Sequence, residues 1–151
     1  MFKNHYIKFA VMMAVSFVIM YAVMFLNADV FDHVMLSTTQ TYMTILMIAP
    51  MAISMMLFMW GMYKNKMLNY IILGISALVF FVTLAMLRQQ TLIEDVQWMK
   101  AMIPHHSSAI MVSQKAHLKD PEAIKLAKEI IEAQKREIAQ MKKMIYRLEN
   151  K

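Results

Sequence analysis

The sequence predicts an all-α membrane protein: three transmembrane helices followed by an extracytoplasmic antiparallel helical hairpin. Three observations carry that expectation. Of 151 residues, 60% are hydrophobic, above the roughly 45–50% of a water-soluble domain. Charge is segregated. Residues 1–88 hold two acidic side chains, Asp29 and Asp32, whereas residues 89–151 hold eight of the ten acids and eleven of the sixteen Lys and Arg. Only two Gly and three Pro are present, too few for a Gly-rich phosphate loop or for the turns of a hairpin-rich β protein.

The membrane region is expected over 1–88, with spans at about 7–26, 41–62 and 68–88. Each contains an uncharged stretch (Phe9–Leu26, Thr41–Met62 and Leu68–Leu87) near the ~20 residues needed to cross a ~30 Å hydrocarbon core. Lys3 and Lys8 precede the first span, but Leu26-Asn27-Ala28 is a poor small-x-small cleavage site, so an uncleaved anchor is expected. Orientation follows from loop cations. Lys3, Lys8, Lys64 and Lys66 mark cytoplasmic ends, and the Asn27–Gln40 loop has no Lys or Arg. The N-terminus is then cytoplasmic. The loop and the C-terminal domain lie outside a plasma (inner) membrane of bacterial type. Pro50 in span two is a candidate kink.

Residues 89–151 form the expected hairpin domain. Leu92, Val96, Met99, Ile103, His106, Ile110, Ser113 and His117 alternate at spacings of four and three, a heptad seam. Asp120-Pro121-Glu122 reads as a helix start, with an N-cap acid and Pro at the first helical position. Ala127, Ile131, Gln134, Ile138, Met141, Ile145 and Leu148 continue a matching seam. With no Gly or Pro between Leu87 and Ile103, the first hairpin helix is expected to run on from span three, kinked later at Pro104. Two helices make a thin core, so a homo-oligomer completing a four-helix bundle is expected.

Methionine is the unusual component: 20 Met and no Cys. Fifteen fall within residues 1–88, among them Met43, Met47, Met51, Met55 and Met59 at four-residue spacing in span two. No ionisable residue lies mid-span to mark an ion path, so packing is the expected role of this ladder. In the hairpin, Met99, Met102, His105 and His106 share one side of a helix at 100° per residue. A fold about residue 120 sets His106 opposite Gln134 and Met99 opposite Met141, with Glu137 and Met144 nearby. Thioether and imidazole together favour Cu(I) or Ag(I) and disfavour Zn(II), Mg(II) or Ca(II). A site without thiolates suits an oxidising compartment. The competing explanation is core packing, in which Met fills gaps and His106 hydrogen-bonds Gln134. In the outer loop, His33 and Met35 are a second, weaker candidate collecting point.

The run Trp98-Met-Lys-Ala-Met-Ile-Pro-His-His-Ser-Ser-Ala-Ile110 resembles the M-x-x-M-I-P-H-H-x-x-A-I signature of the domain-of-unknown-function 305 family. Leu126–Met141 resembles its second half, L-A-x-x-I-I-x-x-Q-x-x-E-I-x-x-M. The resemblance covers about residues 91–148. It implies a ferritin-like helical fold outside the membrane, and His/Met binding of copper or silver in support of metal homeostasis or tolerance. By position it carries over Met99, Met102, His105, His106 and Met141. One departure stands out: the methionine that commonly follows the A-I pair is Val112 here, with Met111 beside it. His117 is the candidate substitute.

The chain lacks the Glu-x-x-His pairs of di-iron bundles and the His-Glu-x-x-His of zinc proteases. Ser107 and Ser108 lack a nucleophile elbow and read as small packing residues, so no enzyme is expected. The interspersed signs of the C-terminal charges give no nucleic-acid signal. Expected partners are the lipid bilayer, a second copy of the chain and other copper-handling proteins. The alternative function is a non-metal oligomerisation or docking module of a membrane assembly.

Overall fold

The computed structural model describes residues 3–150. Among them are five α-helices and no strand: α1 (Lys3–Val23), α2 (Thr38–Phe58), α3 (Lys66–Arg88), α4 (Asp95–Lys115) and α5 (Pro121–Glu149). The helices form two compact units. One comprises the residues up to Val23 together with Thr39–Thr91; the other comprises Met24–Thr38 and the chain from Leu92 onward.

The first unit contains α1, α2 and α3. Each is long and apolar enough to cross a membrane by length and composition. Their ends differ from the expected spans. The first helix stops at Val23, and the chain turns where Ala28 N–H donates to the Phe25 carbonyl at 3.1 Å. The second ends at Phe58 and gives way to a tighter 3₁₀ turn over Trp60–Met62. Gly61 lies in that turn, where its low helix propensity disfavours an α-helical continuation. Helix α2 continues on both sides of Pro50, which is exposed.

α2 is the most buried of the three, 28% of its apolar window against 6% for α1 and 11% for α3. Phe9, Ala52, Met56 and Tyr63 form the buried cluster, with Met13, Met55, Met59 and Leu73 packed against it. The methionine ladder winds as a 100° turn per residue requires: Met43 and Met47 are exposed, Met51, Met55 and Met59 half-buried. A polar knot that the sequence reading did not single out ties the unit. Asn69 is fully buried. It accepts from the Tyr6 hydroxyl at 2.7 Å and donates to the Tyr63 carbonyl at 2.9 Å. Asn65 caps α3 by accepting from Leu68 N–H.

Continuity between α3 and the first hairpin helix is not observed. α3 ends at Arg88 and α4 begins at Asp95, with Gln90 and Leu92 at φ of 53° and 59°. A left-handed residue past a helix end needs no glycine when the carbonyls are capped. Thr91 N–H donates to the Met86 carbonyl at 2.9 Å and Gln90 N–H to that of Leu87 at 3.2 Å. Tyr42 Oη–H donates to the Thr91 carbonyl at 2.9 Å. These bonds offset the ~1–2 kcal/mol that each non-glycine left-handed residue costs. Leu92 therefore leaves the predicted seam and is exposed.

The second unit is built on α4 and α5. α5 begins as its sequence dictates: Pro121 is in the first turn, and Asp120 caps it by accepting from Ala123 N–H at 2.9 Å. Early α4 meets late α5: Lys100 pairs with Glu149 at 2.6 Å and His106 with Glu137 at 2.8 Å. Met99, Ile103, Ile110, Ile138, Met141 and Ile145 form the core between the two helices. α4 continues on both sides of the buried Pro104. His117 lies beyond the end of α4 and is exposed.

Candidate functional site

The seams that build the core also gather the thioethers. Met99 and Met141 are 3% and 5% exposed within it, and Met102 and Met144 pack against it. Met35, expected at a separate loop point, packs against the same cluster. Five side chains carrying sulfur therefore line one apolar centre. A groove lined by Trp98, Met99, Met144, Arg147 and Leu148 opens onto two of them.

His106 borders this centre at 8% exposure. Its Nδ1 lies 2.9 Å from the Met102 carbonyl and its Nε2 lies 2.8 Å from Glu137 Oε2. A carbonyl only accepts, so Nδ1 carries a hydrogen and donates it. At 2.8 Å a single proton joins Nε2 to Glu137 Oε2. Glu137, in place of the expected Gln134, is thus the partner of His106. Gln134 is half-buried in its own seam. The shift along α5 moves the polar contact to a carboxylate that is 46% exposed.

His105 is not brought into the centre. It is exposed, because one residue along a helix turns the side chain by 100°. Its ring lies 6.1 Å from that of His106, centroid to centroid. His117 is exposed beyond α4, and Val112 is exposed, with Met111 half-buried. Neither the substitute ligand nor the departing position reaches the cluster by burial. Among the described residues, no three His, Asp or Glu side chains gather as a nitrogen and oxygen cage for a metal. The donors brought together are thioethers and one imidazole, a soft set.

The 24–38 loop lies against α4 through a latch centred on Ser107, which is completely buried. Its Oγ accepts from Asp29 N–H at 2.8 Å and stands 2.8 Å from His33 Nδ1. Asn27 Nδ2–H donates to Ser108 Oγ at 2.9 Å. Thr38 donates to Gln97 Oε1 from both its N–H, at 3.0 Å, and its hydroxyl, at 3.1 Å. Asp32 pairs with Lys142 of α5, which holds the Asp32 carboxyl below its usual range. The two serines read as packing residues are thus hydrogen-bonding latch residues. No local motif announces them, because their partners lie about 80 positions earlier in the chain.

His33 is held below the usual imidazole range, first by burial and then by the Lys142 ammonium, against the opposing pull of Asp32 and Asp29. The docked loop therefore binds fewer protons than the free loop. Its attachment is complete above the ordinary value of 6.5 and weakens as pH falls through that value and below. The protection of the Asp29 amide, referred to the intrinsic exchange rate at each pH, is expected to fall on acidification, and to lose this dependence in His33→Gln.

A family model described as Domain of unknown function (DUF305) matches residues 82–145. An uncharacterized protein of Acanthamoeba polyphaga mimivirus is 31% identical over 148 residues, covering 93% of this chain and 93% of its own length. No solved structure matches. The chain belongs to the domain-of-unknown-function 305 family.

Proposed function

We propose that the protein binds a soft monovalent metal, Cu(I) or Ag(I), in its second unit. The first unit serves as a three-span anchor in a plasma membrane, with the second unit on the extracytoplasmic side. The observation that carries the reading is the convergence of Met35, Met99, Met102, Met141 and Met144 on one core, beside an imidazole whose Nδ1–H is fixed by a backbone carbonyl. With Nδ1 fixed, Nε2 is the nitrogen that would bind the metal, exchanging its contact with Glu137 for the ion, the usual outer-shell arrangement of a ligating histidine. Thioethers add no charge, which suits a monovalent ion in an apolar centre. Packing of the 24–38 loop in the same unit as α4 and α5 supports their exposure to one compartment. The metal is cargo in this reading, held for homeostasis or tolerance.

The test is titration of the full-length protein in detergent micelles with Cu(I) against bathocuproine disulfonate. Saturable uptake that resists the chelator is expected. Absence of saturable uptake overturns the reading.

A second reading has its own observation. Both ring nitrogens of His106 already face protein acceptors, so the His106–Glu137 contact can close the seam without metal and set the register of a helical assembly module. Cross-linking with and without chelator separates the two. Self-association that ignores metal, together with no metal uptake, favours the assembly module.

A further inference from the structure

We propose that the loop between the first two helices is a structural part of the metal site: Met35 supplies a thioether ligand, and the Ser107 latch holds it in position. The inference rests on the soft-metal reading and deepens it. It treats the His33–Met35 segment as a wall of the main site.

Met35 is packed against the cluster that contains Met99 and Met141, although it is far from both in sequence. An exposed loop has no need of an apolar side chain there, and neighbouring Leu36 and Phe31 are left largely exposed. Among the apolar residues of this segment, Met35 is the one packed against the cluster.

Several side chains are spent on holding Met35 there. Three side chains of α4 (Gln97, Ser107 and Ser108) and one of α5 (Lys142) are committed to the loop. Ser107 is fully buried to do so, between the Asp29 amide and the His33 ring. Ser107 and Ser108 directly follow His106 on α4. The latch is therefore anchored on the helical turn that carries the imidazole donor. Holding a donor by hydrogen bonds to the element that carries another donor is the logic of an outer shell.

Soft monovalent ions take few ligands and favour sulfur. A thioether from a separate segment lets the loop close over an ion on the α4–α5 core, which two helices alone leave open on one side. The ligand class is Cu(I) or Ag(I). A divalent ion of hard character finds no such donors at Met35.

The experiment uses the full chain in micelles, labelled with [methyl-13C]methionine. Wild type, Met35→Leu, Met141→Leu and Ser107→Ala are titrated with Ag(I) against a competing chelator. Leu keeps volume and apolarity, so the core is retained. Met35→Leu is expected to weaken binding about tenfold or more, the scale of a disturbed metal shell. The methyl resonance missing from Met35→Leu is expected to shift when wild type takes up silver. Ser107→Ala should weaken binding in the same direction, and adding it to Met35→Leu should cost little more.

If Met141→Leu weakens binding while Met35→Leu stays within about twofold of wild type and its resonance does not move, the loop is not part of the site and the soft-metal reading survives. If wild type takes up no silver, both readings fall together. Fully additive losses for Ser107→Ala and Met35→Leu would overturn the latch.

Discussion

Leucine at Met99, Met102 and Met141 together is expected to lower Cu(I) or Ag(I) affinity by roughly 100-fold or more while leaving the protein folded. The three side chains belong to or pack against one cluster, so their removal takes three thioethers from one centre. Met→Leu swaps keep volume and cost less than about 1.5 kcal/mol each, whereas alanine would open cavities and confuse ligand loss with unfolding. The matched control is Met43, Met47 and Met62, all exposed in the first unit. Leucine at those three is expected to leave affinity unchanged. Competition titration reads both variants, and amide exchange of α5 verifies the fold. Equal affinity in the two triple variants would mean that uptake is a property of methionine abundance and not of this site.

Ile103→Ala is expected to destabilise the second unit by about 2–5 kcal/mol. Ile103 is fully buried among Met99, Ile110, Ile138, Met141 and Ile145. Truncation removes its transfer energy and leaves a cavity that neighbouring helices fill only in part. A two-helix core has little to spare against the 5–15 kcal/mol of an ordinary domain. Leu126→Ala is the contrast: Leu126 is 57% exposed, and its loss should stay within about 0.5 kcal/mol. Denaturant-dependent amide exchange of Ile138 and Ile145 measures both. Similar costs for the two would mean that the α4–α5 seam is not the core.

How legible was this in the chain? α5 was fully readable, because its apolar residues keep helical period from Ala127 to Leu148 and Asp120-Pro121 marks its start. The three apolar helices were readable from length and composition. The end of α3 was not, because its left-handed cap uses Gln90 where sequence rules look for glycine. The partner of His106 was misjudged as Gln134. A symmetric fold about residue 120 ignores the offset that brings Glu137 to it. Two adjacent histidines look equivalent in a motif, yet helical rotation buries His106 and exposes His105. The latch was illegible for another reason: Ser107 bonds to a backbone amide, which every residue has, so no residue type announces the pairing.

The latch also sets a timetable. Residues 24–38 leave the ribosome early, and α4 follows only after α2 and α3 have been made. The second unit is thus discontinuous in the chain. Its first piece must wait, unpaired, while two apolar helices are synthesised and settled. Closing a loop of that length costs chain entropy before any contact repays it. Docking of the loop then follows the synthesis of α4, and only at that point can Met35 join the other methionines. A fragment beginning at residue 89 would skip the wait and lack the piece. On the proposed soft-metal reading, its metal affinity would report an unfinished site.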